Sequence, residues 1–206
     1  KVKTFEDAEK AAISMRYELL KIGNDPIFNI YEMLEENNIK VFKTTVDKSF
    51  SGMSTIIDGK VGVIVFNDSD EIPLVRKRFT LLHELGHLFM DLEGIEEKLS
   101  ERFCDAFAGA MLLPSEKVME YFGGKRIKVY TNELKMIKRY FGISLSAIMY
   151  RAKSLDLISD KTALKTITNQ ISEATQEMNR LDQAIKKYEK DIEKATLPKI
   201  DRKEFE

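Results

Sequence analysis

The sequence predicts an α+β chain: a small antiparallel sheet packed on a helical core, a helix-turn-helix-like pair, and a long heptad helix toward the C-terminal end. Three observations carry this. β-Branched and aromatic residues concentrate between Ile39 and Phe66, around an Asp58-Gly59 turn signal. On either side of that stretch, apolar residues recur at helical spacing. From Leu164 to Ile192 they alternate steps of three and four, as a heptad seam does.

Composition sets the frame. A chain of 206 residues with 43% apolar and 33% charged residues and a net charge of -1 reads as a soluble globular domain with a small appendage. Nothing global points to nucleic acid. No apolar run approaches the roughly 20 residues of a membrane span, and no signal-peptide pattern opens the chain, so no membrane partner and a cytoplasmic location are expected. The single cysteine, Cys104, allows no intrachain disulfide, in keeping with a reducing compartment. The first residue is Lys1 rather than Met, which leaves room for an upstream portion.

Taken in order, Thr4 and Asp7 have capping-box spacing and open a helix that Gly23 can stop. Asp25 as N-cap and Pro26 in the first turn predict a second helix with Ile27, Ile30 and Leu34 on one face. Ile39 to Val46 and Met53 to Phe66 then read as strands, the latter folded at Asp58-Gly59. Pro73 starts the central helix, LVRKRFTLLHELGHLFMDLE, which runs to Gly94. Ser100 is the expected N-cap of ERFCDAFAGAMLL, ended by Pro114, and Ser115 caps a short helix that stops at Gly123-Gly124. Thr131 and Ser144 cap two helices separated by Gly142-Ile143, with helix-turn-helix spacing. A straight helix from 161 to 195 would be on the order of 50 Å long, so its stripe calls for a second copy, a helix of another protein, or an upstream part of the chain. The alternative is an ordinary amphipathic helix folded over its own domain.

The chemistry sits on the central helix. His83 and His87, the only histidines, are four residues apart, so one helix face presents two imidazoles to one Zn²⁺. Glu84 completes H-E-x-x-H and reads as the general base. A third ligand must be a carboxylate. Glu93 would require a sharp helix break, whereas a reversal at Gly94 lays the next helix back along the first and offers Glu101. Asp105, one turn on, is placed to accept the free N–H of a ligating histidine. Cys104 reads as a small buried apolar residue rather than a ligand. Gly86, mid-helix, predicts close approach of another backbone. Tyr121, Tyr130 or an arginine are candidates to hold a developing oxyanion, and the edge near Val61 to Asn67 is a candidate to pair with a substrate strand.

With RFTLLHELGHLF and ERFCDAFAGAMLLP in hand, the chain resembles the ImmA/IrrE metallopeptidases, zinc proteins encoded in bacteria and their mobile elements. The resemblance spans roughly residues 5 to 158, with weaker agreement in the FSGMS stretch and in FGISLSAIMYRAKSLDLI. It implies His83, His87 and Glu101 as zinc ligands, Glu84 as base, and a thermolysin-like site. It implies a zincin-like metallopeptidase domain over 1–124 and a helix-turn-helix-like subdomain over 125–159, while the heptad pattern alone sets apart a coiled-coil-like helix and tail over 160–206. It also implies an endopeptidase that cuts a helix-turn-helix repressor to switch on mobile-element or stress genes. Asp91, Cys104 and Gly109 depart from the residues usual in the family, and the heptad tail is not a shared feature.

A rival reading comes from residues 125–165, where ten basic residues face three acids. That excess suggests DNA or another anionic partner, and hence a DNA- or partner-binding transcriptional regulator with a non-catalytic zinc site. Ser144, Leu145, Ser146 and Ala147 at the start of the second helix offer little for base readout.

Overall fold

A reciprocal capping box opens the structure, a computed structural model that describes residues 1–195. The Thr4 hydroxyl accepts the Asp7 N–H at 3.1 Å and the Asp7 carboxylate accepts the Thr4 N–H at 2.9 Å, starting α1 (Phe5–Ser14). The helix relaxes into a π turn over Met15–Leu19, which directs Arg16 inward. Arg16 is 1% exposed; its Nε donates to Gly23 O at 2.7 Å and its terminal nitrogens to the carbonyls of Asp25 and Met111. Burial lowers its pKa to about 10, so it stays charged at neutral pH.

The second helix begins later than expected. α2 spans Ile30–Glu36, and Asn29, not Asp25, caps it by accepting the Glu32 N–H at 3.2 Å. The reason lies in two arginines. Arg16 takes the Asp25 carbonyl, while Arg78 donates to Ile27 O at 2.5 Å and Phe28 O at 3.0 Å, holding this segment open.

The sheet contains β1 (Ile39–Thr44), β2 (Gly52–Ile57) and β3 (Val61–Asn67) in the order β1-β3-β2. Asp58 and Gly59 both take positive φ in the turn, and β2 and β3 pair antiparallel as the hairpin signal predicts. The sheet is nevertheless mixed, because β1 runs parallel to β3. Asn67 accounts for this: buried at the end of β3, it donates to Val46 O, Asp47 O and Phe50 O and fixes the loop that carries the chain across to the far side. The expectation that Val61 to Asn67 offers a free edge is corrected, since β3 is paired on both sides. The edges are β1, which packs on α2, and β2, which packs on the helix of residues 74–89.

α3 (Leu74–Phe89) and α4 (Glu97–Leu112) form the heart of the fold. α4 begins one turn before the expected cap: Glu96 O accepts from Ser100 and Leu99, and Ser100 lies inside the helix. Gly94 supplies the reversal with φ +76, and Ile95 and Leu99 pack against the core, which draws the helix start forward. A Cβ on Gly86 would lie 3.2 Å from Phe107 and 3.4 Å from the Cα of Cys104, so the two helices cross there at close range, as the glycine predicts.

α5 (Ser115–Phe122), α6 (Thr131–Phe141) and α7 (Leu145–Ser154) follow. Ser115 and Thr131 are the first helical residues rather than caps, with Pro114 and Tyr130 preceding them, a one-residue shift. Ser144 caps α7 by accepting the Ala147 N–H at 3.1 Å. Leu134, Ile137, Phe141 and Ile148 join the same hydrophobic core as Leu82, Phe107 and Met111. Arg151, 3% exposed, binds Glu9 and donates to Leu113 O at 3.1 Å, tying α7 to α1 and the end of α4. Residues Lys1–Ala163 thus form one compact unit. α8 (Asp160–Ala195) is one helix, and from Leu164 on it belongs to a second unit. Of the expected segment 160–206, residues 196–206 lie outside the described residues, as do the side chains of Ile167, Ile171 and Met178. No described helix is long and apolar enough to cross a membrane.

Arg78 donates to four carbonyls, those of Ile27, Phe28, Phe141 and Gly142. Replacing it with Met leaves the partly buried acceptors without donors, each costing about 1–3 kcal/mol. Arg78→Met is therefore expected to lower stability by about 2–4 kcal/mol, read as a lower midpoint in urea unfolding at an unchanged slope. An unchanged midpoint would deny these bonds a structural role.

Candidate metal centre

The helical repeat puts His83, Glu84 and His87 on α3 where it crosses α4, and the crossing delivers Glu101 and Asp105, one turn apart on α4. His83 Nε2 lies 3.1 Å from Glu101 Oε2 and His87 Nε2 lies 3.1 Å from Glu101 Oε1, so one carboxylate spans both rings. The two Nε2 atoms are 3.2 Å apart. Asp105 Oδ1 is 2.9 Å from His83 Nδ1. His83, His87, Glu101 and Asp105 are brought together as expected, with Glu84 beside them on the border of one cleft, and Glu93, already set aside in favour of Glu101, is not in the group.

This donor set fits a metal ion. When Asp105 accepts the Nδ1–H of His83, the Nε2 of that ring carries a lone pair aimed at a carboxylate oxygen and at a second imidazole. One ligand atom each from His83, His87 and Glu101 lies within 4.8 Å of the others, and lone pairs so placed repel unless a proton or a cation sits among them. The same charges act on His83. Burial works to lower its pKa, but the hydrogen bond to Asp105 and the negative charges of Asp105, Glu101 and Glu84 outweigh it and raise the pKa above the ordinary 6.5. Cys104 does not join the donors: it is fully buried, and burial together with the neighbouring carboxylates pushes its thiol up to about 12.

Glu84 lines the same cleft as His83 and Glu101 and is held from the sheet. It is 8% exposed, and its Oε2 accepts the Ser54 hydroxyl of β2 at 2.7 Å. β2 can come this close because residue 52 is glycine: a Cβ there would fall 2.7 Å from Thr80 Cγ2, 3.2 Å from Val65 O and 3.3 Å from Glu84 Cγ. Gly52 and Ser54 were not read as site residues from sequence, although an isolated glycine at a strand start is a signal for close backbone approach.

The group borders a cleft of about 330 Å³ walled by Ser51, Gly52, Arg76, Phe79, Thr80, His83, Glu84, Glu101 and Asp105. Of the oxyanion candidates, the arginine is Arg76, which donates to Ser51 Oγ at 3.5 Å. Tyr121 and Tyr130 do not line the cleft; Tyr121 packs edge-on against Phe141, and Tyr130 lies under the Lys128 ammonium. A hollow of about 370 Å³ behind α3 is lined by apolar side chains such as Met15, Leu34, Leu85 and Leu88, with Lys60 its one ionisable wall residue, so it offers no comparable chemistry.

Protons and a cation compete for His83 Nε2. Because the His83 pKa is raised, acidification should begin to weaken affinity for a divalent ion while the pH is still above 6.5, by about tenfold per pH unit lost once the ring is protonated, with proton release on binding. Titration calorimetry from pH 8 to 5.5 in buffers of different ionisation heat measures both. Asp105→Asn should weaken binding about 10- to 100-fold; equal affinity in this variant would show that Asp105 does not support the ligand.

No curated protein matches the sequence. Among solved structures, a Mycobacterium tuberculosis transcriptional regulator is 14% identical, with a TM-score of 0.49 over 71% of this chain and 46% of its own. The chain thus spans less than half of that protein, and at this level the likeness carries no functional weight. The family comparison is more informative. Residues 34–153, more than half of the chain and the whole of the H-E-x-x-H and Glu101 region, match the IrrE N-terminal-like domain. The chain belongs to this family, Peptidase_M78.

Proposed function

We propose that the chain is a zinc-dependent endopeptidase whose substrate is a helix-turn-helix repressor, so that cleavage switches on mobile-element or stress genes. One observation carries the reading: a buried carboxylate, Glu84, held by the edge strand at Ser54, stands one residue from a three-donor metal group. His83, His87 and Glu101 would hold the ion, and three protein donors are the number a catalytic zinc site uses. Bound zinc supplies a water of lowered pKa and a polarised substrate carbonyl. Glu84 accepts the proton as the water oxygen bonds to the carbonyl carbon, then delivers it to the amide nitrogen as the C–N bond breaks. Ser54 occupies Oε2 and so leaves Oε1 for that transfer. Arg76 supplies positive charge to the developing oxyanion.

Substrate alignment follows from the sheet. β2 pairs only with β3 among the described strands, and its free edge borders the cleft, so an extended peptide can add to it as a further strand. An unstructured linker of a repressor meets that requirement better than its helices. A hollow of about 210 Å³ shares Phe79 and Asp105 with the cleft and continues to Tyr150 and Arg102, offering room for one substrate side chain.

The rival regulator reading draws on the charge of residues 125–165. Four of the ten basic residues are ion-paired, Lys125 with Asp156, Arg126 with Glu133 at 3.1 Å, Arg151 with Glu9, and Lys153 with Asp160, but three of those acids are the ones already counted, so only Arg151 is withdrawn from the excess. The peptidase reading is preferred because Ser144, Leu145, Ser146 and Ala147 at the start of α7 offer little for base readout, whereas the three-donor group with Glu84 beside it is assembled.

The test mixes purified chain with repressors encoded near its gene. Chelator should abolish cleavage and added zinc restore it, while Glu84→Gln should lower the rate about 10²- to 10⁴-fold and still bind the metal. Identical fragments from wild type and Glu84→Gln would sink the proposal.

A further inference from the structure

α8 is the one long element that the proposed chemistry leaves unused. Its 36 residues make a rod of about 54 Å. The sequence sets a heptad frame along it, with Leu164, Ile171, Met178, Ile185 and Ile192 at a and the d positions, Ile167 to Ala195, three residues later. Where the seam side chains are described they stand in water: Leu164 is 68% exposed, Leu181 56%, Ile185 55% and Tyr188 67%. A stripe of large apolar groups at this regular spacing marks a contact surface.

The charges beside the seam say what covers it. At the flanking e and g positions the sequence carries Glu177, Asp182, Glu189 and Asp191 and not one lysine or arginine. All six basic residues from Lys165 to Lys194 fall at b, c or f, away from the contact. A second copy is therefore a poor occupant. In a parallel pair Glu177 would face Asp182 of the other chain, and in an antiparallel pair e meets e and g meets g, again acid on acid. A lipid surface fits no better, because lysines that anchor an amphipathic helix flank its apolar face, whereas here acids do. Glu177 does touch Arg180 at 3.5 Å within the helix, but so exposed a pair is weak and yields readily to another cation.

We propose that the seam of α8 docks a helix of a different protein, one whose own apolar seam is flanked by lysine or arginine. The inference rests on α8 alone and stands whether or not the chain cleaves a peptide bond.

Two synthetic peptides of about five heptads test it against the full chain. They share an Ile/Leu seam and differ only at e and g, all lysine in one and all glutamate in the other. The chain should sediment as a monomer and bind the lysine-flanked peptide at least about tenfold more tightly, with the preference shrinking in 1 M salt. Glu177→Lys combined with Ala184→Lys should erase that preference and convert the chain to a dimer, since the new charges face Asp182 and Glu189 of a second copy. Four results would overturn the proposal: a wild-type dimer that Leu181→Asp dissociates, equal affinity for the two peptides, no binding of either, or binding to anionic phosphatidylserine vesicles instead.

Discussion

The close crossing of α3 over α4 is the contact on which the site depends. A carboxylate can span two imidazoles only if its helix passes within a few ångströms of theirs, and the bare Gly86 gives that clearance against Cys104 and Phe107. Gly52 plays the same part on the opposite flank, letting β2 lie directly on Thr80 and Glu84. α3 is thus pressed from two sides at two glycines. His83 and His87 meet Glu101 of α4 while the Glu84 carboxylate is held by Ser54 of β2, so neighbouring positions of one helix are fixed from different sides.

Around this crossing the C-terminal ends of α4 and α6 are closed by guanidinium groups that reach in from other elements. Arg16 reaches Met111 O and Arg151 reaches Leu113 O, so the C-terminal carbonyls of α4 are satisfied from α1 and α7. Arg78 does the same between the loop before α2 and the end of α6. A planar fork with five donors can serve several carbonyls at once, which a lysine cannot. Fixing the end of α4 also steadies the helix from which Glu101 and Asp105 project.

Much of this was legible in the residues. The spacing of His83, Glu84 and His87, the reversal at Gly94 and the turn from Glu101 to Asp105 are local features, and local geometry carries them into the structure. Asp58-Gly59 likewise set the hairpin. What stayed hidden involves partners far along the chain. Nothing near Asp25 announces that Arg16 and Arg78 will claim the carbonyls around it and delay α2, and nothing in β1 shows that Asn67 will fold the next loop so that β1 and β3 run parallel. Ser54 could not be matched with Glu84 from sequence because they stand 30 residues apart and meet only after β2 has found its edge.

Cys104 sits beneath the metal group, and its pKa of about 12 has a practical meaning. At neutral pH the group is therefore held as the thiol, whereas the thiolate is the form that peroxide and alkylating reagents attack. A thiol so buried under the histidines is slow to react, and Cys104 is poorly placed to serve as a redox sensor even though it lies one helical turn from Glu101.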